Sequence, residues 1–246
     1  MSHPTEILSK GHYRARFAQG EHDLSAAQRL RSHCFGISKL DRDRFDDSCH
    51  HILIEDVRSD TLVGYFRVLH LVDGANVPQS YSAQFYDLSR LEKFPGPMAE
   101  MGRFCILPNA NTPDILRLSW GALTCIVDDI GIQMLFGCTS FAGTQADRYL
   151  DAFAVLRHRH LGPSQWLPQV GSPEVFEFDQ LSQQKPDMKQ AMLQMPPLLR
   201  SYMAMGGWVS DHAVVDVEMN TMHVFTGLEV ATISASRKRL LRAVAD

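Results

Sequence analysis

Hydrophobic and polar positions along the 246-residue chain follow two periods in turn. Tyr13–Phe17 alternates with a period of two and predicts a short strand. Leu24, Ala27, Leu30, Arg31 and Cys34 recur at helical spacing, so residues 24–35 are predicted to form a helix with Asp23 as its N-cap. A polar run over residues 39–48 follows. Residues 51–55 and 62–71 then read as two strands of a hairpin, turning around Arg58, Ser59 and Asp60.

Residues 78–96 are rich in aromatics and breakers (Tyr81, Phe85, Tyr86, Phe94, Pro95) and read as an ordered excursion with a short helix, suited to a lid or an acyl-pocket wall. Residues 99–107 are the next strand. A helix over 114–130 follows the Thr112-Pro113 start signal, and 134–141 is an apolar strand of buried character. Strand, helix, strand implies a parallel, right-handed crossover. Residues 145–158 are predicted helical and 162–186 are expected to cross the surface. Residues 188–205 are again helical, with a break at Pro196-Pro197. Residues 209–217 and 222–230 form a last strand pair around Asn220, and 234–245 a basic terminal helix bearing Arg237, Lys238, Arg239 and Arg242. The fold class is therefore α/β, a mixed and mostly antiparallel sheet of six to seven strands flanked by helices. One domain over 1–246, with insertions at about 78–96 and 145–205, fits this length; two small domains are the alternative.

Composition narrows the function classes. With 45% hydrophobic and 21% charged residues the chain has an ordinary globular balance. Its net charge of −4 supplies no basic face for nucleic acid. Residues 1–10 hold no apolar core of signal-peptide length and no stretch suits a membrane span, which predicts a cytoplasmic protein. Cys34, Cys49, Cys105, Cys125 and Cys138 are odd in number, widely spaced and without a CxxC pair, so they read as reduced, mostly buried thiols. Asp41, Asp43, Asp46 and Asp47 invite a calcium loop, but Asp46 and Ile52 stand where that loop needs Gly and Glu. His50-His51 and His158-x-His160 lack the companions of a zinc site, so no metal is expected. Hydrolase elbow, Walker loop and dinucleotide fingerprint are all missing.

The chemistry concentrates elsewhere. Glu100 is a carboxylate inside the apolar run of residues 98–107, where an unpaired charge is expensive. One account is a structural ion pair with an arginine; the other is a carboxylate held to orient or deprotonate an amine. Strand period puts Glu100 and Arg103 on opposite faces unless Gly102 permits a bulge. Arg67 is a second cation in a core-like strand. With Arg31, Asp43, Asp46, Glu100 and Arg103 it is expected to form an ion-pair network that either stiffens the scaffold or grips a charged substrate.

The pattern Arg31-x3-Phe35, Asp43-x2-Asp46, Gly64-x2-Arg67 and Glu100-x-Gly-Arg103 resembles the GNAT-fold enzymes that take acyl chains from acyl carrier protein. Among them the chain is most similar to the ornithine-acyl-[acyl carrier protein] N-acyltransferases, often labelled hemolysin-like. Supporting strings begin at Phe45, Glu100, Leu135 and Pro197, with Asp216 beyond, and the likeness runs from about Arg29 to Phe225.

The resemblance implies a GNAT fold and an amino acid's α-amine attacking the thioester of a 3-hydroxyacyl chain. The product is the N-acyl precursor of an ornithine-type lipid. The donor is acyl carrier protein with its 4'-phosphopantetheine arm, and no cofactor is permanently bound. Glu100 becomes the candidate base. Arg31, Phe35, Asp43, Asp46, Arg67 and Arg103 become candidates for substrate binding. Phe104, Cys105, Ile106, Cys138, Ser140 and Phe141 are candidates for the acyl and pantetheine arm, where backbone N–H groups would polarise the thioester oxygen. Without an adjacent base, the Cys138 thiol reads as structural rather than nucleophilic. Gln145 and His223 stand where the family pattern leads one to expect Asp, which opens the identity of the acceptor. The loop over 107–113 lacks the Gly-rich pyrophosphate loop of acetyl-CoA users, which favours a carrier-protein donor. The rivals are an acyl-homoserine lactone synthase, which usually has an aromatic soon after the Phe35 position where this chain has none, and a non-catalytic acyl or carrier-protein binding module. The helix with Arg237 to Arg242 suits acidic carrier protein, a peripheral contact with anionic membrane, or solvent alone.

Overall fold

The computed structural model of the chain describes residues 6–245. Residues 1–5 of the stretch read for a signal peptide, and residue 246 of the expected domain, lie outside the described residues. The chain folds into two compact units and passes between them repeatedly. The first gathers the chain up to His70, Met101–Ile132 and the stretch from Ala235; the second is Leu71–Glu100 with Gln133–Ser234.

The first unit opens with β1 (Glu6–Lys10) and β2 (Tyr13–Phe17), an antiparallel hairpin turning at Gly11, whose φ of 63° suits glycine. Most of β1 faces solvent and shows no apolar period, so the sequence left it unread. Helix α1 (Gly20–Phe35) begins four residues before the predicted start. Gln19 is its N-cap, and Asp23 sits inside the first turns, where its carboxylate accepts the Gln19 N–H at 2.7 Å and pairs with Arg16. Asp23 thus supports the helix start without being the cap. Strands β3 (His50–Asp56) and β4 (Thr61–Leu71) make the predicted hairpin, with Asp60 in the left-handed region at its turn, and β3 also pairs with β2.

The remaining elements are, in chain order, β5 (Tyr86–Asp87), β6 (Met98–Ile106), α2 (Thr112–Ile130), β7 (Met134–Ala142), α3 (Leu150–Arg159), β8 (Gln169–Val170), β9 (Val175–Glu177), α4 (Met188–Gln194), α5 (Pro197–Ala204), β10 (Trp208–Val209), β11 (His212–Asp216), β12 (Thr221–Glu229) and α6 (Ala235–Ala245). In α2 the buried Ile115, Leu118, Ala122, Leu123, Ile126 and Val127 fall on one stripe, and Gly131 at φ 75° closes the helix with its N–H on the Val127 carbonyl. Burying each of these large aliphatic side chains is worth about 1.5–3 kcal/mol, which is why this helix was legible.

In the second unit β6 runs parallel to β7, as a strand-helix-strand connection requires, from Met98↔Met134 to Glu100↔Phe136. Strand β7 pairs antiparallel with β12 along its whole length, β12 with β11, and β11 with β9. Cross-strand partners share a face, so Phe136, Cys138 and Ser140 of β7 lie on the same side as Phe225 and His223 of β12. The other side is sealed by a core around Phe153, which touches Phe141, Tyr149, Phe176 and Phe178.

Strands of two or three residues carry no readable period, and they raise the strand number above the six or seven read from sequence. The excursion over 78–96 carries its short helical turns as 3-10 helices, at Gly74–Gln79, Ser82–Gln84 and Leu91–Lys93. They pack so closely that a Cβ on Gly74 would run into the Leu91 carbonyl. Residues 162–186 do not simply cross the surface, since Phe178 and Leu181 plug the Phe153 core. No helix among the described residues is long and apolar enough to cross a membrane.

Candidate active site

The first unit gathers three arginines and three aspartates at one place. Arg31, on the inner face of α1, is fully buried; its Nε donates to Asp41 Oδ2 at 2.8 Å and its Nη1 to Asp46 Oδ1 at 2.6 Å. Arg67 on β4 forks onto both Asp43 oxygens at 2.6 and 2.8 Å and reaches Asp46 Oδ1 at 2.6 Å. Arg103 pairs with Asp41 and Asp43, each at 3.1 Å. Forked arginine geometry suits carboxylates because five N–H groups lie in one plane. Burial pushes Asp43 and Asp46 upward, but the hydrogen bonds and charges of Arg67 and Arg31 outweigh it and hold both below the usual carboxylate range. Asp43 and Asp46 therefore stay ionised.

Two details shape this cluster. Arg103 has φ 53°, in the left-handed region that disfavours side chains, so the irregularity expected at Gly102 falls one residue later and turns the guanidinium onto the aspartates. His51 is held between the Asp46 carbonyl at 2.8 Å and Tyr65 Oη at 2.6 Å. Burial lowers its pKa, so it is a neutral wedge and not a further cation. Exposure is uneven: the Asp43 side chain is 20% exposed, against 7% for Asp41 and 2% for Asp46. Asp41, a node between two arginines, entered the sequence reading only through the rejected calcium loop.

In the second unit the environment of Glu100 is different. Its side chain accepts the Tyr81 N–H on Oε2 at 2.8 Å, and the Ser82 N–H and hydroxyl on Oε1 at 2.8 and 2.6 Å. Neutral donors from the 3-10 turn at Ser82 thus meet both oxygens of the buried acid. Cys138 Sγ lies 3.4 Å from Ser82 Oγ, which makes the serine a bridge between acid and thiol. Tyr81 and Ser82 were missed because their contribution is largely backbone, and backbone donors have no residue signature.

The other predicted residues separate into open and packed. Phe35 packs against Ala27, Leu30, Tyr65 and Cys105 in the first unit's core. The Cys105 and Phe141 side chains are buried, so only their backbone is placed to meet a ligand. Phe104 and Ile106 are half-buried on β6, with Phe104 beside Phe66. Ser140 is exposed and Cys138 half-buried. Among the described residues no group of three or more His, Cys, Asp or Glu side chains could hold a metal ion.

The acetyltransferase (GNAT) domain family matches residues 24–121. The chain is 30% identical to an L-ornithine N(alpha)-acyltransferase of Agrobacterium fabrum, over 91% of this chain and 83% of that protein. It is 27% identical to the L-ornithine N(alpha)-acyltransferase of Brucella abortus, over 92% and 87%. Among solved structures it is similar to a CoA-dependent acyl-homoserine lactone synthase, with a TM-score of 0.48 and 13% identity over 89% of this chain and 80% of that one.

Proposed function

The chain belongs to the L-ornithine N(alpha)-acyltransferase family, and on that premise we propose that it moves a 3-hydroxyacyl chain from acyl carrier protein to the α-amine of ornithine, the first step toward an ornithine-type lipid. The observation that carries the chemistry is the Glu100 cradle. The acceptor amine must lose a proton to attack, and Glu100 offers a carboxylate fixed in place by the Tyr81 and Ser82 N–H groups and the Ser82 hydroxyl. The nitrogen bonds to the thioester carbonyl carbon and the C–S bond breaks. An ammonium gives up two protons on becoming an amide nitrogen: the one taken by Glu100 leaves with the thiolate as the carrier's free thiol, and the second passes to solvent as the C–N bond forms. No covalent enzyme intermediate is needed, and Cys138 stays a bystander.

In the first unit, the more open Asp43 and the Arg103 beside it are the members suited to grip a charged substrate group, while Arg31, Asp46 and Arg67 hold them in place. Phe35 is assigned the same supporting role. Backbone N–H groups at Phe104, Cys105 and Ile106, and at Cys138, Ser140 and Phe141, are assigned to the acyl and pantetheine arm. The basic residues of α6 suit an acidic carrier protein or an anionic membrane surface.

The test mixes purified protein with 3-hydroxyacyl carrier protein and a panel of amino acids, following free thiol and product mass. Thiol release that needs ornithine, with a product heavier by the acyl group, is the expected result. Release without any amine would identify a thioesterase instead. No turnover with any amino acid would leave the chain as a binding module.

A further inference from the structure

The sheet face of the second unit that carries Phe136, Cys138 and Ser140 also carries two histidines that the proposed chemistry leaves unused. His212 and His223 are 1% and 2% exposed. Tyr86 Oη lies 2.8 Å from the His223 carbonyl oxygen and 3.1 Å from His223 Nδ1. A carbonyl only accepts, so the single phenolic hydrogen goes to it, and Nδ1 must bring its own hydrogen to Tyr86. His212 Nδ1, 2.7 Å from Asp211 Oδ1, carries a hydrogen for the same reason. The His223 ring is left with a bare lone pair at Nε2, and that atom is buried without a hydrogen-bond partner among the described residues.

The surroundings restrict what that lone pair meets. Phe85 stands edge-on to His223 at 4.8 Å, Tyr86 touches both imidazoles, and Phe225 stacks between Phe136 and Trp208. A cationic ligand would be stranded here, because Asp211, the acid of this cluster, is half-exposed and already engaged by His212. Burial, with His212 nearby, holds His223 down to about 4, so its ring is neutral at neutral pH. A pure hydrocarbon would leave the His223 acceptor unmet. The ligand that matches an aromatic wall with an isolated acceptor is a hydrocarbon chain bearing a hydroxyl group. Ser140 lies directly across from His223 and Cys138 across from Phe225, so the face opens toward solvent along β7 beside this acceptor.

We propose that His223 is a specificity-determining residue: its Nε2 accepts a hydrogen bond from a hydroxyl on the acyl chain, so that hydroxylated donors are selected over plain ones. This rests on the acyl-transfer reading above. The test compares 3-hydroxyacyl and unsubstituted acyl carrier-protein donors of one chain length, in the wild type, His223→Phe and His223→Gln. Wild type is expected to favour the hydroxylated donor by about tenfold in kcat/KM. His223→Phe should bring the two donors to parity, chiefly by losing rate on the hydroxylated one. Gln, which keeps an acceptor near the Nε2 position, should retain most of the preference. In the Phe variant Tyr86 still donates to the residue 223 carbonyl, and circular dichroism checks that it folds.

Equal use of both donors by wild type, or an unchanged preference in His223→Phe, would overturn the assignment; an unchanged preference with lowered stability would mean a buried water meets the imidazole. Binding of free 3-hydroxydecanoic against decanoic acid, read by tryptophan fluorescence, needs no turnover. Tighter binding of the hydroxy acid that disappears in His223→Phe upholds the hydroxyl site even if amine-dependent transfer fails. Equal binding with intact transfer removes the histidine's role alone.

Discussion

The two units handle buried charge in opposite ways. Around Arg31 every ion meets an opposite ion, and the guanidinium and carboxylate geometries lock together. Around Glu100 two backbone amides and a hydroxyl donate to the carboxylate, and a few strands away the His223 imidazole keeps an acceptor unmet. A lattice of opposite charges is stiff and self-satisfied, and removing one member strands the others. A carboxylate held by neutral dipoles keeps its charge in place for chemistry. The comparison assigns mainly scaffolding to the first region and reactivity to the second.

The largest effect that would break this contrast is in the lattice. Replacing Arg31 with Met takes one arginine from each of Asp41 and Asp46, leaving Asp41 to Arg103 and Asp46 to Arg67 with a buried negative charge in excess, and should destabilise the protein by about 3–5 kcal/mol, measured by urea unfolding. A loss below about 1 kcal/mol would mean the lattice is not structural.

Glu100→Gln comes next on stability but first on function. The amide nitrogen must face a donor N–H, costing about 1–3 kcal/mol, while turnover should fall at least a hundredfold with substrate binding largely kept. A full rate would remove Glu100 as the base.

His223 gives a pH signature. Its folded value of about 4 lies below the ordinary 6.5, so as pH falls below 6.5 the unfolded chain takes the proton first and stability drops, until the folded ring also titrates near 4. The loss should reach about 3 kcal/mol by pH 4. Asp43 and Asp46 of the lattice have depressed values, so their contribution persists across this window and is lost only at still lower pH. His223→Phe should flatten the decline between 6.5 and 4; a variant that declines just as steeply would place its cause elsewhere.

The smallest effect is expected on the surface. Arg242 and Asp128 form a solvent-exposed pair, and Arg242→Ala should leave the unfolding midpoint where it is. If the same variant slows transfer from carrier protein without touching stability, the basic helix is a docking surface.

Much of this molecule could be read from the order of its residues. The apolar stripe of α2 and the buried run of β7 each announce an element through a local period. The position of a carboxylate in β6 announced that something unusual must satisfy it, and Arg67 in a core strand announced a buried partner. Those inferences depend on neighbours within a few residues and on the cost of burying charge, and both are properties of the chain alone. Tertiary structure decided the identity of the partners. Glu100 is held by amides 18 and 19 residues away, in a turn without a distinctive pattern. Tyr86 reaches His223 across 137 residues. Such pairings are set by how strands register and loops pack, and a hydrogen bond from a main-chain amide leaves no trace in the side chains that spell the sequence.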